Sequence, residues 1–188
     1  TSLLTTIRNE AIAFPNPLKN TKGMPFPRLE ENGLDAGWWK LAITSPEQLR
    51  HRMAFALSEI LVQSGGDGGW TEPEAAFYDL LARYAFGNFR DLLESVSLNA
   101  EMALYLTYLF NQKADPVKGT SPDENYAREI QQLFTVGLVQ LHPDGSLMLD
   151  SSGNPIPTYN NTTIFETAKV FTGWAYKDRK STRLNSSH

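Results

Sequence analysis

Four helix starts and several glycine or asparagine stops punctuate this chain so closely that most of it is limited to short helices. Ser45-Pro46-Glu47-Gln48, Thr71-Glu72-Pro73-Glu74 and Ser121-Pro122-Asp123-Glu124 each place a hydroxyl, a proline and an acid or amide where helices begin, and Asn88 precedes another apolar run. Behind them lie apolar residues at helical spacing. Leu49, Met53, Ala56, Leu57, Ile60 and Leu61 share one face of a helix expected to run to about Gln63; Phe77, Leu80, Leu81 and Tyr84 line the next. Gly87-Asn88 breaks that helix and starts another through Val96. A further helix begins near Asn99, and Asn160 or Asn161 caps the last, which ends at Thr172-Gly173-Trp174.

The stretch with most polar groups per turn is Ser121 to Gly137. Ser121 is read as the N-cap, Pro122 as the first helical residue and Gly137 as a left-handed stop, with Tyr126, Ile130, Leu133 and Phe134 on the apolar stripe. Glu124, Asn125, Arg128 and Glu129 fill the other side and are the candidate catalytic or binding residues. Glu124 or Glu129 would act as acid or base, Arg128 as an anion clamp, and Asn125 as a positioner. The structural reading of the same groups is a Glu124–Arg128 pair four residues apart, and a polar seam that docks helices. Glu124 and Glu129, five apart, do not face each other.

Elsewhere the periodicity changes. Leu138–Leu141, a His142-Pro143-Asp144-Gly145 turn and Ser146–Leu149 predict a small β-hairpin before the last helix, and no internal repeat is read. Residues 1–44, with Pro15, Pro17, Pro25 and Pro27, are expected to form an arm pinned by Trp38 and Trp39. The fold class is therefore an all-α, multi-helix array with one small hairpin, its helical domain spanning residues 45–177.

Composition narrows the function. The chain of 188 residues is 41% hydrophobic and 20% charged, lacks cysteine, and carries a net charge of −4, so neither thiolate chemistry nor nucleic acid fits it. No apolar run reaches the length of a membrane span. Lone His51 and His142 are read as packing or turn residues. No spacing motif identifies a metal set or a cofactor. Residues 178–188 resemble one reading frame of a sequencing-adapter oligonucleotide and are expected to be non-native. Setting aside Asp178, Arg179, Lys180 and Arg183 leaves the rest at −6 instead of −4.

Asp123-Glu124-Asn125-Tyr126-Ala127-Arg128-Glu129, then Leu133, Thr135, Gly137 and Phe171-Thr172-Gly173-Trp174, resemble the signature of a large bacterial family catalogued as domain of unknown function 1800. Arg52–Ile60 and Ala85–Leu93 resemble it too. Family members are longer on both sides, so the resemblance implies a fragment, incomplete at its C-terminal end. It also implies a helical fold, frequent export signals, and a protein partner encoded nearby in a sulfatase-like family. It implies no reaction. On these grounds the chain is expected to be an exported structural or interaction module, or alternatively a hydrolase-type enzyme acting on surface carbohydrate or sulfated ester. Asp123, Gln132, Phe134 and Thr163 stand where the family usually has Asn, Glu, His and Asp, so a metal held by that Glu and His is not expected here.

Overall fold

The computed structural model describes residues 2–6, 31–64 and 71–175. The proline-rich stretch before residue 31, most of the glycine-rich segment at 64–69 and residues 178–188 lie outside them. The chain divides into two compact units, Thr1–Tyr105 and Leu106–His188.

In the first unit, a helical turn over residues 3–6 precedes α1 (Glu31–Thr44), α2 (Gln48–Ser58), α3 (Thr71–Tyr84), α4 (Phe89–Ser97) and α5 (Ala100–Tyr105). Leu3, Leu41 and Ala75 form a buried cluster joined by Leu34, Trp38 and Tyr78. Asp79 on α3 holds the first turn in place: its carboxylate accepts from the Leu3 and Leu4 amides at 2.6 and 3.2 Å and from Ser2 Oγ at 2.6 Å. An acid from another helix thus satisfies amides that a helix start leaves open. The Trp pair lies within α1, a helix where the sequence suggested an arm.

Asn88 does cap α4, accepting from the Arg90 amide at 2.8 Å. Asn99 accepts from the amides of Glu101 and Met102 at 2.9 and 3.1 Å. Helix α2 differs from expectation in both start and phase. Its start is at Glu47, because Ser45 belongs to the end of α1: the Ser45 amide bonds to the Leu41 carbonyl at 3.0 Å and its Oγ accepts from Glu47. Its buried side is His51 and Ala54, followed by Leu61, whereas Leu49 is 65% exposed and Ile60 48%. Small Ala54 lets the neighbouring helices approach on a side the leucines would have held apart.

The second unit contains α6 (Asn125–Gln132) and α7 (Asn161–Val170), which pack through Ala127, Ile164, Ala168 and Tyr159. Asn160 caps α7, accepting from the Thr163 amide at 2.9 Å. Tyr108 and Tyr126 are 1% exposed, with ring centroids 4.4 Å apart. Phe171 meets both, edge-on to Tyr126 at 4.8 Å, and Phe134 adds a fourth ring. Burial pushes the Tyr108 phenol pKa well up, so that hydroxyl stays uncharged.

The predicted β-hairpin does not form. Residues 137–158 make isolated bridges: Leu141 opposite Leu147, Leu149 opposite Pro155, and Val139 opposite Pro157. Each of three segments therefore divides its pairing between two neighbours. At the centre, Gln140 N–H donates to the Ile156 carbonyl, Ile156 to Met148, and Met148 back to Gln140, at 2.8, 3.0 and 3.0 Å, closing a ring. A two-stranded ladder would leave the third segment unpaired. An eight-residue repeat underlies this triangle, contrary to the reading that none exists: Gly137, Gly145 and Gly153 recur at equal spacing with φ of 76°, 84° and 82°. Asp144 and Asp150 secure the two turns. Asp144 is held below the usual carboxylate range chiefly by Ser146 Oγ, and Asp150 by the Asn154 amide, so the turns loosen as acid protonates them.

Candidate functional site

Helix α6 positions all four candidate residues, but it starts later than its sequence suggests. Asn111 accepts from the Asp123 amide at 2.7 Å and donates to its carbonyl at 3.2 Å, holding Ser121–Asp123 outside the helix. Glu124 occupies the N-cap position without a side-chain cap, and Asp123 Oδ1 accepts from the Asn125 amide at 2.8 Å. The expected Ser121 capping box is therefore absent. At the other end, the helix stops at Gln132. The Gly137 amide reaches back to the Gln131 carbonyl at 2.9 Å, so the glycine stop exists but closes a wider turn.

The four side chains do not converge on one point. Arg128 donates to Glu124 Oε2 at 3.2 Å, with both side chains about two-fifths exposed at 44% and 39%. Such a solvated pair is worth about 0.3–0.5 kcal/mol. Asn125 is exposed and makes a long contact, 3.4 Å, to Thr107 Oγ1. Thr107 and Phe110 have φ of 62° and 63°, a left-handed conformation that costs a β-branched threonine more than most residues. This strain brackets Tyr108 and lies against Asn125.

Glu129 differs from the other three. Its Oε2 is enclosed yet has no hydrogen-bond partner among the described residues. A docking clamp would set a cation there. Glu129→Gln should therefore leave the unfolding free energy unchanged or raise it; a loss of about 3–5 kcal/mol on chemical denaturation would reveal a buried cation that this geometry lacks.

Phe134 is 3% exposed and meets Tyr126 edge-on with ring centroids 6.3 Å apart, so it adds packing. Thr163 bonds to Asn160 at the start of α7, and Gln131 donates to Thr167 Oγ1 at 3.0 Å. No group of three or more His, Cys, Asp or Glu is placed to hold a metal among the described residues.

Sequence reasoning did not anticipate a cavity in the first unit. His51, read there as a packing residue, is 6% exposed, and neither ring nitrogen has a hydrogen-bond partner among the described residues. It lines a cavity of about 190 Å³ with Trp38, Phe55 and Tyr78. The signal was present in the helical spacing of His51, Ala54, Ser58 and Leu61, a stripe of smaller residues beside a more conspicuous stripe of leucines.

A family profile described as "Protein of unknown function (DUF1800)" matches residues 13–187, running into the stretch read as non-native. No curated protein and no solved structure matches the chain. With a helical fold and a profile match over nearly the whole length, the chain belongs to the DUF1800 family.

Proposed function

We propose that this chain is an interaction module working outside the cytoplasm, with the triangle of residues 137–158 as its contact surface. The observation that carries this reading is the exposure of Leu141, Leu147 and Leu149, 54%, 49% and 53%, on an element closed by its own backbone hydrogen bonds. Apolar side chains presented on a braced scaffold gain when a partner covers them and lose little freedom on binding. Leu133, Val136 and Leu138, each more than half exposed, extend the apolar surface towards α6. Export and a sulfatase-like neighbour are implied by the family resemblance and supply the partner to test.

The experiment is a direct binding measurement between the complete gene product and that neighbouring protein. Leu147→Lys should weaken binding at least about tenfold while leaving the melting temperature nearly unchanged. Equal affinity for both forms, or no binding by the unaltered protein, would sink the proposal.

The second reading is a hydrolase-type enzyme acting on surface carbohydrate or sulfated ester. The Glu129 Oε2, enclosed and without a partner among the described residues, favours it, since an acid or base in search of a partner is what catalysis requires. In that case Glu129→Gln abolishes turnover of a sulfated or glycosidic substrate without weakening partner binding.

A further inference from the structure

The cavity beside His51 is built from α1, α2 and α3 of the first unit. Trp38 meets Phe55 at 5.6 Å and Tyr78 at 6.4 Å between ring centroids, and Leu41 and Ala42 complete an apolar lining. Its volume of about 190 Å³ slightly exceeds the ~150 Å³ apolar cavity that accepts benzene, so one ring with a small substituent fits.

The polar groups at this cavity are mostly committed elsewhere. Tyr78 Oη donates to the His51 carbonyl at 3.0 Å, and Gln48 Nε2 to the carbonyls of Ser45 and Leu41 at 2.8 and 3.3 Å. Nearby Arg50 pairs with Glu47 at 3.1 Å and reaches the Ala82 carbonyl at 2.9 Å, while Asp79 is occupied by the first turn of the chain. What remains, among the described residues, is the His51 imidazole without a hydrogen-bond partner and exposed Arg52 without an ion pair. Burial lowers the His51 pKa, so at neutral pH the ring offers one N–H donor and no charge. Among the described residues, the uncommitted charge lining the cavity is therefore positive.

We propose that this cavity binds a one-ring aromatic carboxylate, its ring among Trp38, Phe55 and Tyr78 and its carboxylate accepting from His51 N–H and the Arg52 guanidinium. A buried imidazole with unmet hydrogen bonds costs stability that such a ligand returns. The charge-assisted bond to arginine selects an anion over a neutral ring.

Titration calorimetry of the full chain with benzoate tests this, beside benzyl alcohol, which lacks the charge, and acetate, which lacks the ring. Benzoate should saturate one site, with both controls at least about tenfold weaker. Arg52→Gln, at an exposed position, should weaken benzoate about tenfold and leave benzyl alcohol unchanged; Ala42→Leu should fill the cavity and remove both. Absence of saturation up to roughly 10 mM benzoate would mean the cavity holds only water and would overturn the proposal. So would saturation that Arg52→Gln does not alter, and that result stands even if Ala42→Leu fails to fold.

Discussion

Tyr126→Ala is expected to lower the unfolding free energy of the second unit by about 3–5 kcal/mol, the range for losing a fully buried aromatic ring. Tyr126 is 1% exposed and lies at the middle of a ring cluster, 4.4 Å from Tyr108, 4.8 Å from Phe171 and 6.3 Å from Phe134. Removing it opens a cavity bordered by three rings on different chain segments, and none can close the gap without leaving its other neighbours. Tyr126→Phe keeps the ring and should retain the greater part of the stability. Urea unfolding followed through Trp174, which contacts Tyr108 at 6.4 Å, reports on this unit. A loss below about 1 kcal/mol for the alanine variant would mean that the cluster does not hold the unit together.

That expectation changes how the Asp123–Glu129 segment is read. Its polar letters suggested a site, yet the firmest tasks of α6 are to bury Tyr126 and Ala127 and to dock on α7. The all-α class was legible in the sequence because Asn88, Asn160 and Gly137 act locally: a cap or a left-handed glycine works within one turn and needs no distant partner. Ser45 and Ser121 carry equally good local signals and fail as caps. Ser45 is absorbed into the end of α1, and Ser121 is held out of α6 by the Asn111 bonds to Asp123. Tertiary bonds override propensity at both places.

The inward face of α2 was illegible for a related reason. Two apolar stripes compete there, and only the neighbouring helices decide which one goes inside; they take the side with Ala54, and His51 goes in with it. In residues 137–158, alternation and turn signals predicted a two-stranded hairpin, whereas the chain makes only isolated bridges shared among three segments. The candidate residues themselves were placed on the right helix. Their separation into a solvated pair, an exposed amide and a carboxylate with one enclosed oxygen depends on burial, which spacing alone does not encode.

Asn111→Ala should cost about 1–3 kcal/mol and, more tellingly, should unsettle the start of α6. Asn111 is 7% exposed and joins four bonds: its side chain takes both main-chain groups of Asp123, its carbonyl accepts from Gly173 at 2.8 Å, and its amide donates to Tyr108 at 3.2 Å. Alanine keeps the two main-chain bonds and deletes the two to Asp123. With nothing holding Asp123 out of the helix, the chain regains the option its sequence offers, a helix beginning at Ser121 and Pro122. Asn111→Asp separates the contributions, because it keeps the acceptor for the 2.7 Å bond but turns a second oxygen towards the Asp123 carbonyl. It should therefore be no better than alanine. Hydrogen exchange reads the effect directly: faster exchange at the Asp123 amide, which loses its acceptor, with the α7 amides little changed, is the expected result. Unchanged exchange at Asp123 would show that Asn111 does not set where α6 begins, and the position of Glu124, Asn125, Arg128 and Glu129 would then need another cause.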